Sequence, residues 1–244
     1  MRYKVLCAYN GTNYVGFQRQ INGLSIQEVI EERLKIILQK DIRIIMASRT
    51  DSGVHAYGQV FHFDYEDRLD EYKLKASLNG LLPKDIHILE VELVDESFHA
   101  RFSVVKKTYE YHININEYDV FLKGLAYDCP YKLNYKLIDE AMPLFIGHHD
   151  FGSFNTSPYD LYPDQWRTIY RLDYVIKDNL LVFTIEGSGF LRHMVRMIIG
   201  TLIDLGRGKK NLAEVRDMIE HPNKSKHRFN IDPSGLYLKE ICYK

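Results

Sequence analysis

The sequence reads Ile42-Arg-Ile-Ile-Met-Ala-Ser-Arg-Thr-Asp-Ser-Gly-Val-His-Ala-Tyr-Gly-Gln-Val-Phe-His-Phe63 where two strand-like segments enclose a polar turn. The first segment, Ile42–Met46, is apolar and β-branched, and the last, Gly58–Phe63, alternates polar and apolar residues. Glycine in the turn is expected for backbone reasons. A turn does not, however, require an arginine, a threonine, an aspartate and a histidine together, so this one needs a further explanation.

Asp51 lies at the centre of the turn, and two roles are open to it. Its carboxylate can cap the turn by accepting hydrogen bonds from nearby backbone N–H groups, which is the commoner reason for an Asp-Ser-Gly sequence. The alternative is chemistry, in which Arg49 and His55 supply neighbouring polar groups. The turn alone does not decide between these roles, so the rest of the chain must.

Composition predicts a soluble globular protein. The chain has 244 residues, of which 45% are hydrophobic and 27% charged, enough for one large domain or two modest ones. Its apolar runs are far shorter than a membrane span, and its first residues open a strand instead of a signal peptide, so we expect a cytoplasmic protein with no membrane partner. Cys7, Cys129 and Cys242 are odd in number and widely separated, which supports neither a disulfide framework nor a zinc site.

The formal net charge of −1 argues weakly against a nucleic-acid partner. The distribution of charge matters more than its sum, because basic residues that reach one face of the fold can follow a phosphate backbone. The basic residues cluster at Arg101, Lys106-Lys107, Arg192–Arg196, Arg207–Lys210 and Lys224–Arg228.

The order of predicted elements indicates two similar halves, each reading βαββαβ, with an extra helix in the second. We therefore predict a mixed α/β (α+β) fold with the two sheets side by side and the active site in the cleft between them. The predicted subdomains are residues 1–100, which hold the polar turn, and residues 101–244. The elements of the first half are strands at 3–9, 42–46, 59–63 and 86–94 and helices beginning after Ser25 and spanning 71–81; those of the second are strands at 101–114, 166–176, 180–187 and 236–243 and helices at 135–146, 190–205 and 211–220.

The predicted helix at 190–205 has an apolar face and an opposite face that carries Arg192, His193, Arg196 and Gly200. Glycine inside a helix costs about 1 kcal/mol relative to alanine. Its presence predicts that another part of the chain packs closely against the helix at Gly200.

Metal and cofactor chemistry is weakly supported. Asp51, His55 and His62 make a thin metal site, as does the run His148-His149-Asp150, and each is better explained as structural or surface. The sequence also lacks a nucleophile elbow, a phosphate-binding loop and a dinucleotide fingerprint. We therefore predict neither a metal nor a cofactor.

Three separated segments together resemble the signature segments of the tRNA pseudouridine synthase A family: Arg49–His55, Phe98–Ser103 running into Tyr109–Tyr111, and Gly189–Arg196. The resemblance spans nearly the whole chain in the family's order, with two departures: Ser52 replaces a common alanine, and Asn10 a common aspartate. Supporting matches are Tyr9–Gln20, Asp150–Phe154, Arg167–Ile169 and Gly235–Leu238.

The resemblance implies an isomerase that converts uridine to pseudouridine in the anticodon arm of tRNA, at positions 38, 39 and 40, without cofactor or metal. It also implies a homodimer, and the pseudouridine synthase fold, in which two α+β halves share a long, mainly antiparallel sheet with the active cleft at its centre. The non-catalytic alternative is an RNA-binding protein built of two RRM-like halves, and a third hypothesis is a small-molecule hydrolase that uses Asp51 and His55.

The resemblance also assigns residue roles. Asp51 matches the catalytic aspartate and Arg196 its basic partner. Tyr109 matches the aromatic residue that stacks on the target base, and Arg49 an arginine associated with displacing the target nucleotide. The matching segments further contain His55, Arg101 and His193, which we expect to bind substrate. Whether the carboxylate attacks C1′, adds to C6 or removes a proton from C2′ stays open at this point.

Overall fold

The computed structural model describes residues 1–224 and 229–244, which form two compact units. The first unit comprises Met1–Val105 with Tyr237–Lys244, and the second Lys106–Leu236. The predicted subdomain bounds, residues 1–100 and 101–244, stay a prediction. The compact units differ from them in that the C-terminal strand belongs to the first unit.

The first unit consists of strands and two helices in the order βαββαβ, to which the C-terminal strand is added. Its elements are β1 (Arg2–Tyr9), α1 (Ile26–Leu38), β2 (Ile45–Met46), β3 (His55–Asp64), α2 (Glu71–Leu81), β4 (Ile86–Val94) and β10 (Leu236–Tyr243).

The sheet of the first unit is mainly antiparallel and has the strand order β4-β1-β3-β10, with β2 also paired to β3. Only the pairing of β10 with β3 is parallel among these, through Tyr237 opposite His55 and Leu238 opposite Ala56. Side chains of β1 alternate between buried and half-buried, as the period of a strand requires. β3 is buried along nearly its whole length, so both of its faces are covered.

The helices of the first unit begin where their capping residues predict. The Ser25 hydroxyl accepts a hydrogen bond from the backbone N–H of Glu28 at 3.2 Å, and the Asp70 carboxylate accepts one from Lys73 N–H at 2.9 Å. Each cap satisfies a donor that the first helical turn leaves without a partner. Behind the first cap, Ile26, Val29, Ile30 and Leu34 form the buried stripe of α1.

The second unit begins within the long strand β5. Its elements are β5 (Val104–Asn114), β6 (Tyr127–Asp128), α3 (Tyr135–Ala141), β7 (Gly147–Asp150), β8 (Trp166–Lys177), β9 (Leu180–Gly187), α4 (Met194–Gly206) and α5 (Leu212–Glu220), with short 3-10 helices at Val120–Leu122, Met142–Phe145, Gly152–Phe154 and Pro233–Gly235.

The sheet of the second unit has the order β5-β9-β8-β7, with antiparallel neighbours, and β6 pairs in parallel with β5. The strands predicted at 166–176 and 180–187 form an antiparallel hairpin, β8 to β9. Asp178 and Asn179 both have positive φ, 50° and 64°, which is the backbone of a two-residue turn matched to the twist of its strands.

Several predicted element boundaries were wrong, for identifiable reasons. The strand predicted over 42–46 forms only at Ile45–Met46, and the strand predicted from Arg101 begins at Val104, because residues 100–103 form a turn. The helix predicted over 135–146 ends at Ala141 and continues as a 3-10 helix. Pro143 explains that end, since proline has no backbone N–H and its ring clashes with the preceding helical turn.

The helix predicted over 190–205 was wrong at its start. It begins at Met194, so Arg192 and His193 precede the helix and do not share a helical face with Arg196. Every residue of α4 is buried, so the face opposite the apolar one does not face solvent. The prediction for Gly200 is confirmed: a Cβ there would lie 2.1 Å from the carbonyl oxygen of Phe229.

The mixed α/β class is confirmed, with five α-helices and ten strands in the described part of the chain. None of the described helices combines the length and the apolar character needed to cross a membrane. Cys7 and Cys129 are buried, and burial raises the pKa of both thiols, which favours their role as small apolar side chains.

Candidate active site

Asp51 lies in the loop between β2 and β3, and its two neighbours in the chain are held by other parts of the first unit. On one side, Thr50 is buried and its hydroxyl oxygen lies 2.8 Å from that of Tyr9. On the other side, the Ser52 hydroxyl donates a hydrogen bond to the backbone carbonyl of Tyr14 at 3.2 Å. Thr50 and Ser52 therefore fix the turn on either side of Asp51.

A second loop, residues 10–18, packs backbone against backbone on the Asp51 loop. A Cβ on Gly11 would lie 1.9 Å from the carbonyl oxygen of Val54, and one on Gly16 would lie 2.4 Å from that of Thr50. Gly16 also has a φ of 106°, which side chains rarely tolerate. Glycine at both positions therefore lets the two loops approach closely. At Asn10, the side-chain oxygen accepts hydrogen bonds from the backbone and hydroxyl of Thr12, which the family's common aspartate would also accept.

Gln59 anchors the start of the Asp51 loop, a role that the sequence did not predict. Its side chain is fully buried and bonds both backbone groups of Ser48, donating to the carbonyl at 2.8 Å and accepting from the N–H at 3.2 Å. A buried amide is stable only with its polar atoms satisfied. The available signal was a glutamine between apolar residues in a strand.

The Asp51 side chain is half-buried, whereas Arg49 is exposed. The backbone carbonyl of Asp51 accepts a hydrogen bond from Val54 N–H at 3.2 Å and so closes the turn. The loop therefore places one carboxylate at the boundary between core and solvent, with an arginine two residues away on the exposed side. Such a carboxylate is accessible to a substrate while its backbone is fixed.

His55 is the first residue of β3 and is 1% exposed. Its Nδ1 accepts a hydrogen bond from Gly11 N–H at 3.1 Å, and its ring stacks on Tyr237 with the centroids 4.5 Å apart. Tyr237 also stacks with the half-exposed Tyr57 at 4.9 Å. These contacts tie the Asp51 loop to β10. Substrate binding by His55 stays a prediction.

The histidines that were considered as metal ligands bond instead to the backbone or to side chains of the protein. His62 Nδ1 accepts from Ala100 N–H at 3.1 Å, and a ring nitrogen of His148 lies 3.0 Å from the Thr168 hydroxyl. Across the described residues, no three His, Cys, Asp or Glu side chains are arranged to hold a metal ion.

Arg101 lies in an exposed turn between β4 and β5. Its guanidinium carbon is 5.7 Å from the ring centroid of Phe102, within the range of a cation–π contact. The predicted role of Arg101 in binding substrate stays a prediction, and its exposure is compatible with it.

In the second unit, Tyr109 lies on β5 opposite Ile185 of β9 and is 6% exposed. Its ring meets that of Phe190 edge to face, with centroids 5.2 Å apart and planes at 84°. Phe190 belongs to the segment that leads into α4. Tyr109 is thereby held in one orientation by an aromatic contact.

Arg196 is the third residue of α4 and is 8% exposed. Its Nε donates a hydrogen bond to the backbone carbonyl of Ile231 at 2.7 Å. Burying a guanidinium is costly unless it is paired and hydrogen-bonded, so a buried arginine at a fixed position indicates a specific use for its charge. Near Arg196, Tyr111 donates its hydroxyl proton to the carbonyl of Asp232 at 2.6 Å, and burial raises the pKa of that phenol.

His193 immediately precedes α4 in a left-handed conformation, with φ of 63°. Its Nδ1 lies 2.9 Å from the Thr156 hydroxyl, and Thr156 N–H donates to the carbonyl of Arg192 at 3.1 Å. These two contacts fasten the start of α4 to the segment around residue 156. The predicted contact of His193 with substrate remains a prediction.

The predicted basic clusters differ in how their charges are used. Lys106 forms an ion pair with Glu186 at 2.8 Å, Arg207 packs 3.8 Å from the centroid of Tyr131, and Lys224 donates to the Asn155 side chain at 2.9 Å. Residues 225–228 of the last cluster lie outside the described residues. Arg192 and Arg101 are exposed.

The structure therefore brings the predicted residues together in groups. Arg49, Asp51 and His55 share one loop and strand start in the first unit. In the second unit, Tyr109 contacts the segment that carries His193 into α4, the helix of Arg196.

Comparison with known proteins identifies the family. The sequence profile described as tRNA pseudouridine synthase matches residues 6–103 and 141–244, well over half of the chain. The chain belongs to the tRNA pseudouridine synthase family. This match confirms the resemblance found in the sequence. Enzymes of this family are isomerases. The two matched ranges include Asp51, Arg101, His193 and Arg196, whereas Tyr109 lies in the gap between the ranges.

Relatives from several bacteria match over almost the full chain. A protein named tRNA pseudouridine synthase A 1 from Protochlamydia amoebophila is 39% identical over 99% of this chain and 96% of its own length. The tRNA pseudouridine synthase A of Anoxybacillus flavithermus is 40% identical, with 99% and 98% covered, and that of Chlamydia muridarum is 40% identical, with 97% and 90% covered. The family likeness therefore extends over both units of the chain.

Proposed function

We propose that this protein isomerises uridine to pseudouridine in the anticodon arm of tRNA, at positions 38, 39 and 40, with Asp51 as the catalytic nucleophile. Membership of the tRNA pseudouridine synthase family supports the reaction and the substrate class. The observation that carries the residue assignment is a half-buried aspartate on a loop whose neighbours on both sides are fixed by hydrogen bonds.

The reaction sets the requirements of the site. The bond between N1 and C1′ breaks, the uracil turns within the site, and a bond forms between C5 and C1′. The hydrogen on C5 leaves and N1 gains a proton, so atoms balance without a cofactor. In this proposal the Asp51 carboxylate starts the reaction as a nucleophile, by attack on C1′ or on C6. The alternative is that it acts as a base and removes a proton from C2′.

Arg196 and Tyr109 complete the proposed chemistry. In this proposal the Arg196 guanidinium acts as the basic partner of the Asp51 carboxylate. Tyr109 stacks on the displaced base, which recovers roughly 1 to 3 kcal/mol of the cost of unstacking it from the RNA. The orientation of both side chains is fixed, by the Ile231 carbonyl and by the Phe190 ring, which supports these roles.

The remaining predicted residues bind the substrate around this centre. Arg49, exposed beside the aspartate, helps to displace the target nucleotide. His55, Arg101 and His193 contact the RNA or its target nucleotide. We further propose a cytoplasmic homodimer, in which two chains of net charge −1 pool their basic faces on one tRNA.

Site mapping tests the positions. Unmodified tRNA transcripts that carry a single anticodon-arm uridine at position 38, 39 or 40 are incubated with the protein, and pseudouridine is located by carbodiimide adducts that stop primer extension. We expect a stop at each of the three positions, and none in a transcript whose only uridines lie elsewhere.

The same assay on the Asp51→Asn variant tests the catalytic residue. Asp41→Asn is the matched control for Asp51→Asn, because Asp41 is an exposed aspartate in a surface ion pair with Lys35.

The possible outcomes separate the proposals. Stops with wild type and Asp41→Asn but not with Asp51→Asn support the assignment. Modification only at uridines outside positions 38, 39 and 40 would contradict the proposed target positions. Tight tRNA binding with no pseudouridine in any transcript would instead favour the non-catalytic RNA-binding alternative.

A further inference from the structure

An exposed phenylalanine stands at the tip of the turn between β4 and β5. Phe102 is 76% exposed, in a segment that also holds the exposed Arg101 and the half-buried His99. A single exposed apolar side chain is ordinary on a protein surface. The turn that presents Phe102 is nevertheless built with more internal bonds than an ordinary surface loop.

The turn is closed on itself by four hydrogen bonds. Ser103 N–H donates to the carbonyl of His99 at 2.9 Å, and the Ser103 hydroxyl accepts from His99 N–H at 2.9 Å. His99 Nδ1 accepts from the backbone N–H groups of Arg101 and Phe102, at 3.1 and 3.2 Å. The imidazole thus fixes the backbone of the two residues that project from the tip.

The base of the turn is bonded to three different strands of the first unit. Arg2 of β1 donates to the carbonyl of Phe98 at 2.8 Å. Ala100, which is fully buried, donates its N–H to His62 of β3 at 3.1 Å and accepts at its carbonyl from the Tyr243 hydroxyl of β10 at 2.8 Å. A rigid base of this kind reduces the entropy that the tip would lose on binding a partner.

The side chains around Phe102 favour a nucleotide over an apolar partner. The His99 ring lies 4.3 Å from the Phe102 ring, and the Arg101 guanidinium 5.7 Å from it. Both are polar, so Phe102 is a single aromatic surface with a cation beside it. Unpaired bases stack on such rings, and arginine beside them binds phosphate or stacks as a cation.

We propose that Phe102, fixed by His99 and flanked by Arg101, is a stacking platform for an unpaired base of the RNA substrate. The inference rests on the proposed function for the identity of the substrate, and it adds a contact in the turn at residues 99–103 that is separate from the Asp51 loop. Arg101 supplies charge to the phosphate backbone beside the stacked base.

Fluorescence tests the stacking contact directly. Trp166 is the only tryptophan in the chain, so Phe102→Trp in a Trp166→Phe background places the single indole at the tip of the turn. We expect an unmodified tRNA transcript to quench this indole on binding, because a base that stacks on it shares its face. A blunt RNA duplex, which has no unpaired base, should bind without comparable quenching. Equal quenching by the duplex, or none by tRNA, would overturn the proposal.

Binding measurements give a second test. Phe102→Ala should weaken binding of the tRNA transcript by roughly 5- to 150-fold, the range for loss of one stacked base, with the salt dependence of binding unchanged. Arg101→Ala should instead lower the slope of affinity against salt concentration by about one phosphate contact. Phe121→Ala is the matched control, because Phe121 is 85% exposed on a 3-10 helix of the second unit and should leave affinity unchanged.

The results distinguish this proposal from the proposed function. Normal pseudouridine formation together with unchanged affinity in Phe102→Ala would refute the platform alone. If wild type forms no pseudouridine, the proposed function fails, and the quenching measurement still decides whether position 102 stacks on RNA. Light scattering on wild type and Phe102→Ala is the remaining control, because a dimer that becomes a monomer on substitution would assign Phe102 to a protein contact and overturn the proposal.

Discussion

Asp51 is held in place by the residues beside it. Thr50, Ser52 and the carbonyl of Asp51 itself make the hydrogen bonds that shape the turn, and Gln59 anchors its start. None of these bonds uses the Asp51 carboxylate, so a change from carboxylate to amide keeps each of them. A catalytic defect in Asp51→Asn can therefore be separated from misfolding by its unfolding curve.

Tyr109 provides a test of base stacking that separates the ring from its hydroxyl. Tyr109→Phe keeps the ring that faces Phe190, so we expect it to retain a rate constant for pseudouridine formation within about tenfold of wild type, whereas Tyr109→Leu should lower it by roughly 5- to 150-fold. Leucine fills much of the same buried space without a stacking face, which limits the cost of a cavity. Single-turnover rates measure both variants, and equal rates for Phe and Leu would contradict the stacking role.

At the residue scale the sequence indicated candidates for the chemistry but not the residues that support them. Asp51, Tyr109 and Arg196 were identified through the resemblance, because their segments keep the family's spacing. The roles of Gln59 and Tyr237 were not predicted, because each depends on a neighbour distant in the chain. Burial of Gln59 follows from the covering of both faces of β3, which a pattern along one strand does not reveal.

At the level of elements, local signals predicted some boundaries and tertiary packing decided others. The bounds of α2, β4 and β10 were predicted closely, because capping residues and alternation mark them in the sequence. The start of α4 was wrong because Leu191 is buried like a helical residue although His193 takes a left-handed conformation. The two-residue strands β2 and β6 are too short for alternation to show.

The close packing of α4 predicts an unequal response of two helical glycines to the same substitution. Gly200→Ala should destabilise the protein by about 1 to 3 kcal/mol, because the new methyl group would meet backbone atoms of Phe229 and overpack the site. Gly80→Ala in α2 is the control: its Cβ would have no neighbour within 4 Å, so it should stabilise by up to about 1 kcal/mol through helix propensity. Urea unfolding of both variants measures this. A Gly200→Ala variant as stable as Gly80→Ala would contradict the close approach.

His62 predicts a dependence of stability on pH. Burial, followed by the charges of Arg2 and His99, lowers its pKa to about 4, although the charge of Asp64 raises it. The unfolded chain then binds a proton between about pH 6.5 and pH 4 that the folded protein does not, so this contribution to stability is complete above pH 6.5 and is lost as the pH falls.

Replacing the imidazole tests the assignment. His62→Gln keeps an oxygen that can accept from Ala100 N–H but does not titrate. Between about pH 7.5 and about pH 5, we expect wild type to lose about 1 to 2 kcal/mol more unfolding free energy than His62→Gln. Parallel losses in the two proteins would show that His62 titrates normally in the folded state.

At the scale of the whole molecule, the family likeness extends over both compact units, and relatives match 97% to 99% of the chain at 39% to 40% identity. Element order predicted two halves, because the elements predicted for each half follow a similar succession of strands and helices. The second unit departs from that succession, since it also contains β6 and β7 and its last predicted strand, β10, belongs to the first unit. The net charge of −1 does not indicate where the basic groups lie. Arg49, Arg101 and Arg192 are exposed, whereas Arg196 is buried.

The most direct test of the central claim is the rate of tritium release from tRNA labelled at C5 of uridine, measured with enzyme in excess. Isomerisation must free the hydrogen at C5, so release counts the reaction without depending on which route Asp51 takes. We predict release by wild type and by Asp41→Asn, and a rate at least about 10³-fold lower for a folded Asp51→Asn variant. Equal release by wild type and Asp51→Asn would contradict the account.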